Sequence, residues 1–185
     1  MAHMVKAVPQ PFHRGARAAL ALDRAVLVAA RTHLHGARAE SWIGTYSRLG
    51  EHGACWILLG AAGALFDRRP GRRASWLRGV RIVGTAYTLN YAVKVTVHRR
   101  RPELRGLPPL TKTVSRLTFP SAHATTSFAG ARAYAGLVPP ASVYLPAFAF
   151  GLSRPYLGVH YPSDVVAGAL LGTAIAAGWP AVRRP

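Results

Sequence analysis

From residue 165 to residue 182 the chain runs 18 positions without a charge, then meets Arg183 and Arg184. At 1.5 Å per residue, a helix of that length approaches the roughly 30 Å apolar core of a bilayer. Other apolar stretches, over residues 53–66, 80–97, 121–138 and 141–153, are shorter or interrupted, the last one following the Pro139-Pro140 breaker. Together these runs predict an all-α fold, a polytopic transmembrane helical bundle of about five spans.

The N-terminal part reads differently. Between residues 16 and 49, Leu20, Leu22, Val26, Leu27, Leu34 and Trp42 are interleaved with seven charged residues, too polar a mix for a span. It is the pattern of amphipathic helices lying at a membrane interface. Residues 5–50 are therefore expected to form an interfacial segment ahead of a bundle over 51–185, and residues 1–4 resemble a cloning scar with a second start at Met4.

Charge narrows the partners. A net charge of +18 in a chain that is 50% hydrophobic points to nucleic acid, an anionic membrane surface or an anionic substrate. The arginines lie mostly between the apolar runs, and no groove-reading helix or stacking-aromatic motif accompanies them, so nucleic acid is set aside. Arg68, Arg69, Arg72, Arg73, Arg78 and Arg81 crowd one link and would mark a cytoplasmic face, but Arg99, Arg100, Arg105, Lys112 and Arg116 make the opposite face basic too. Sidedness is left open. The single Cys55 sits in an apolar run and reads as a small buried hydrophobe. Gly168 and Gly172 form a G-x-x-x-G suited to close helix packing, inside the bundle by preference and in a dimer seam otherwise.

Chemistry is concentrated in short stretches spanning 71 residues: Lys94-x6-Arg101-Pro102, Pro120-Ser121-Ala122-His123, and Ser153-Arg154-x5-His160-x3-Asp164. Lys94 lies in an apolar run, where an ionisable group is costly and usually functional, four residues after Asn90 and so on the same helix face. Arg101 and Arg154 suit a forked grip on phosphate oxygens. Pro120-Ser121 is good chemistry for a helix start, which presents free N–H groups to an anion, and Ala122 is small enough for close approach. The four-residue spacing of His160 and Asp164 lets the carboxylate hold one imidazole nitrogen while the other faces a reacting centre. No third ligand at useful spacing accompanies them, so no metal and no cofactor are expected. Arg99 and Arg100 read as headgroup or solvent contacts, Tyr156 and Tyr161 as interfacial aromatics, and Asp23 and Glu51 as partners of nearby arginines.

This order and spacing resemble the phosphatidic acid phosphatase type 2 superfamily, with pattern K-x6-RP, PSGH and SR-x5-H-x3-D; Ala122 stands where the family usually has Gly. The resemblance implies an integral-membrane, metal-independent phosphatase of the bacterial inner membrane, with His160 attacking phosphorus to form a phosphohistidine, Asp164 fixing its tautomer and His123 protonating the leaving alkoxide. It assigns Lys94, Arg101, Ser121, Ala122 and Arg154 to phosphate binding. Its members act on phosphatidic acid, phosphatidylglycerol phosphate, polyprenyl diphosphates and decaprenylphosphoryl-5-phosphoribose. The stretches Gly50-Glu51-His52-Gly53 and Pro120-Ser121-Ala122-His123-Ala124-Thr125 look like small actinobacterial members, which ranks a polyprenyl-linked phosphate first. The partners expected are thus a lipid phosphate substrate and membrane lipids, with an oligomer compatible. Related vanadium haloperoxidase chemistry and a non-catalytic basic membrane scaffold are the rival readings.

Overall fold

The computed structural model describes residues 10–33, 35–69 and 71–180, with side-chain surroundings from residue 18 onward. Within them lie seven helices: α1 (Gln10–Thr32), α2 (Ala37–Leu49), α3 (Ala54–Phe66), α4 (Arg72–Val97), α5 (Ala122–Tyr134), α6 (Pro140–Tyr156) and α7 (Pro162–Gly178), with a 3-10 turn, Glu51–Gly53, between α2 and α3. Among the described residues the strand-like pairing is limited to an isolated bridge between Arg100 and Leu117 in the loop joining α4 to α5. The fold is all-helical, as the sequence predicts. Residues 1–4, Leu34, Arg183 and Arg184 lie outside the described residues.

Helix α5 occupies the centre, packed against α3, α4, α6 and α7. Its sequence, AHATTSFAGARAY, is small and polar enough to be surrounded: Thr125 and Thr126 return their hydroxyls to the carbonyls of Ser121 and Ala122 at 3.0 Å each, and Ser127 accepts from the Trp56 indole at 3.0 Å. Buried polar atoms thereby keep their partners. α7 lies so close that a Cβ on Gly172 would collide with the Thr125 carbonyl, and one on Gly168 would stand 2.6 Å from the Ser121 carbonyl. The G-x-x-x-G therefore forms a seam between α5 and α7 of one chain.

A second core gathers Trp56, Trp76, Tyr134, Val143 and Phe150 between α3, α4, α5 and α6. On the outside, Leu58 and Leu65 of α3, Leu145 and Leu152 of α6, and Val166 and Leu170 of α7 are exposed at spacings of seven or four, so each pair shares an outer face. The five apolar runs are indeed helices. By length and composition no single described helix is long and apolar enough to cross a membrane; α2 with the turn and α3, bent by 42°, meets both conditions as a pair. Two causes shorten the runs. Pro139-Pro140 splits α5 from α6, and α4, although 26 residues long, carries Arg72, Arg73, Arg78, Arg81 and Lys94. Arg78 donates to the carbonyls of Pro180 and Trp179 at 2.8 and 3.0 Å, bringing the arginine-rich start of α4 to the end of α7.

Candidate active site

At the opposite end from Arg78, the C-terminal ends of α4 and α6 meet the N-terminal ends of α5 and α7. Lys94, in the last turn of α4, is buried and donates to the carbonyls of Thr118 at 3.2 Å and Leu117 at 3.4 Å. It turns inward and does not reach out along the helix to the interface. One turn earlier, the Asn90 amide bonds the Pro120 carbonyl at 3.2 Å and the Thr125 hydroxyl at 2.9 Å. α4 thus fixes both the loop that enters α5 and the start of α5 itself. Ser121 is the N-cap residue there, and the first N–H groups that follow have no carbonyl within the helix to bond.

His160 sits in the link before α7 and is 2% exposed, so only fixed neighbours decide its protonation. Its Nε2 lies 3.3 Å from Nη1 of Arg101, and its Nδ1 lies 2.9 Å from the Thr118 hydroxyl. That hydroxyl is 2.6 Å from Oδ2 of Asp164, while the direct distance from Nδ1 to Oδ2 is 3.5 Å. The directions of these bonds assign the tautomer. Arginine only donates, so Nε2 accepts; a carboxylate only accepts, so Thr118 donates to Asp164 and takes the Nδ1 proton's hydrogen bond. The unprotonated Nε2 thus faces the cations, its lone pair turned toward Arg101. Burial, and then the charges of Arg101, Arg154 and Lys94, hold His160 well below its ordinary pKa, which keeps it neutral and nucleophilic near pH 7. Burial also lowers Arg101 to about 10, still protonated at neutral pH.

His123 bonds the Ser47 carbonyl through Nε2 at 2.9 Å, an acceptor that requires the proton on Nε2 and leaves Nδ1 as the titrating nitrogen. Arg154 is buried against Ser47, whose hydroxyl takes Nη1 at 2.5 Å. Ser153 bonds the same hydroxyl at 3.3 Å. Lys94, Arg101, Ala122, His123, Arg154 and His160 line one pocket. The Ser121 hydroxyl and Nε of Arg154 are buried without a hydrogen-bond partner. Arg154 lines the cationic pocket, and its unpaired buried donor there suits an anion with several acceptor oxygens.

Several residues behave otherwise than the sequence suggested. Arg99 does not face headgroups or solvent: it donates to Asp164 Oδ1 at 2.9 Å, Ser163 at 2.7 Å and Asp23 at 2.7 Å, and its guanidinium lies 4.1 Å over the Tyr161 ring. Tyr161 is accordingly a platform for that arginine, and Tyr156 stacks on His35 at 4.1 Å. Asp23 does pair with an arginine, as expected; the Glu51 side chain makes no ion pair or hydrogen bond among the described residues, but its charge acts on Arg154. Thr118 and Ser47 escape the sequence reading, and Arg99 receives the wrong partners in it, because none of them belongs to a spaced motif. A buried Thr three residues before a motif serine is too common a pattern to signal a role.

The PAP2 superfamily profile matches residues 77–184. A decaprenylphosphoryl-5-phosphoribose phosphatase of Mycolicibacterium smegmatis is 41% identical over 157 residues, covering 84% of this chain and 82% of its own. The protein of that name from Mycobacterium tuberculosis is 39% identical over 133 residues, covering 71% and 73%. Among solved structures, a transmembrane PAP2 type phosphatidylglycerolphosphate phosphatase from Bacillus subtilis superposes with a TM-score of 0.68 at 26% identity, over 86% of this chain and 83% of that one. Aquifex aeolicus LpxE superposes with a TM-score of 0.65 at 21% identity, over 84% and 93%, a likeness of fold.

Proposed function

The chain belongs to the PAP2 superfamily, and we propose from that premise that it is a membrane lipid phosphatase acting on a polyprenyl-linked sugar phosphate, decaprenylphosphoryl-5-phosphoribose first. The substrate is that of the decaprenylphosphoryl-5-phosphoribose phosphatases to which the chain is 39–41% identical. The chemistry rests above all on one observation: Nε2 of His160 lies 3.3 Å from Arg101 Nη1 in a pocket shared with Lys94 and Arg154.

In the first step Nε2 of His160 attacks phosphorus and the bond from phosphorus to the sugar oxygen breaks. His123, charged at Nδ1 once the anionic phosphate is bound among the cations, gives that proton to the departing alkoxide. Lys94, Arg101 and Arg154, with the Ser121 hydroxyl and the N–H of Ala122, hold the three peripheral oxygens. Asp164 stabilises the imidazolium that forms. In the second step water attacks the phosphohistidine, His123 takes the water proton, and the P–N bond breaks to release inorganic phosphate. No step calls for a metal or cofactor.

The exposed leucines of α3, α6 and α7 support a bundle immersed in lipid, of about five crossings in residues 51–185, with residues 5–50 as an amphipathic layer at the interface. A bacterial plasma membrane is the location this implies. Phosphate release by purified protein in detergent with EDTA, across the polyprenyl phosphoribose lipid, phosphatidic acid and phosphatidylglycerol phosphate, tests the reading. Preference for the sugar-linked lipid is expected, and release from none of them would favour a lipid-binding scaffold.

A further inference from the structure

The chain has six acidic residues. Asp23, Glu40, Asp67 and Asp164 are each paired with a cation or imidazole. Glu51 and Glu103 make no side-chain ion pair or hydrogen bond among the described residues, and of the two it is Glu51 that lines the same pocket as Lys94, Arg101, Arg154 and His160, with its charge acting on Arg154. A carboxylate beside Arg154 weakens the pull that the cations exert on a phosphate dianion. It becomes useful when the substrate also brings donors that a carboxylate accepts.

The turn that carries Glu51 is held in one shape. His52 adopts a left-handed backbone, φ 56° and ψ 13°, uncommon for a residue with a Cβ and a mark of functional sites. Its neighbours are glycines for steric reasons. A Cβ on Gly50 would stand 2.7 Å from the Phe150 ring and 3.1 Å from the His123 ring, and Gly53 has φ 72° with Val83 at 2.9 Å from its missing Cβ. His52 and Tyr87 meet at 5.6 Å between ring centroids, tilted by 59°, and both line the pocket beside Glu51. A carboxylate acceptor next to aromatic faces is the donor-acceptor and apolar pairing that a sugar ring presents: hydroxyls along its edge, C–H groups on its face.

We propose that Glu51, with His52 and Tyr87, forms a polyol subsite that binds hydroxyls of a sugar adjoining the phosphate to be removed, and so selects sugar-linked lipids over simple phosphatidates. This rests on the substrate reading above and adds the residues that would enforce it. A lipid without those hydroxyls meets Glu51 as bare repulsion.

The test is kcat/KM of wild type, Glu51→Gln and Glu51→Ala on the polyprenyl phosphoribose lipid and on phosphatidic acid in one detergent. Glu51 is exposed at the surface of the turn, so the variants are expected to fold. Glu51→Ala should lower the sugar-linked value about tenfold or more, as loss of charge-assisted hydrogen bonds does, and leave phosphatidic acid unchanged or improved. Glu51→Gln should fall between. Equal loss on both substrates, or on neither, overturns the subsite while the substrate reading stands. Wild type that releases phosphate from phosphatidic acid and not from the sugar-linked lipid overturns that reading and the subsite with it.

Discussion

His160 can attack only while Nε2 keeps its lone pair, and the hydroxyl of Thr118 secures that by occupying the space between Nδ1 and Asp164. Thr118→Val keeps the shape and removes the relay; kcat should fall about 10- to 100-fold with KM within a few-fold, and Thr118→Ser should restore most of it. A loss confined to KM would reduce Thr118 to a packing residue. The depressed pKa of His160 has a sign that can be checked. Neutral His160 is the active form, so the acid side of the kcat/KM profile should rise below the ordinary imidazole value of about 6.5. Arg101→Gln removes a neighbouring positive charge, raises that pKa and should move the rise to higher pH, with the substrate's own ionisation common to both profiles. An unmoved rise would detach Arg101 from His160. At this scale the spaced motif residues were legible because each carries a costly or directional group: Lys94 in an apolar run, His160 four before Asp164. Thr118, Ser47 and Arg99 were not, since hydroxyls and one more arginine in a basic chain carry no such signal.

Among the elements, α5 is the part whose sequence most nearly conceals its place. A helix of Ala, Thr, Ser and Gly has too little hydrophobicity to read as a core, yet small side chains are what allow α3, α4, α6 and α7 to close around it and bring their ends to one site. The seam with α7 carries the position of Asp164, because the Ser121 N–H bonds the Asp164 carbonyl at 2.9 Å where the two helices start. Gly172→Ala would press a methyl on the Thr125 carbonyl; such overpacking costs about 1–3 kcal/mol, read as a lower unfolding temperature in detergent. Gly84→Ala, in mid-helix with nothing within 4 Å of its Cβ, is the matched control and should hold or raise that temperature. Equal stability of the two variants would contradict the seam. The helices themselves were visible as apolar runs. Their lengths were not, because Pro139-Pro140 and the arginines of α4 end the usable apolar surface early.

The whole molecule is a cationic bundle with its scarce acids placed by task. Asp23 on α1 reaches Arg99, and through it the second oxygen of Asp164, so the N-terminal helix is tied to the catalytic end. Ser47 on α2 does the same for Arg154 and His123. These long-range ties join residues 64 to 140 positions apart wherever Arg99, Ser163 and Asp23 meet, and no periodicity in a sequence announces them. Every other role in the site depends on covalent catalysis by His160. Its most direct test is base-stable capture of label: brief reaction with substrate carrying radioactive phosphorus in the scissile phosphate, in EDTA, followed by alkaline denaturation. Base-stable, acid-labile label on the wild-type protein, absent from His160→Ala together with phosphate release, is the predicted result; release that persists in His160→Ala above about 1% of wild type would contradict it.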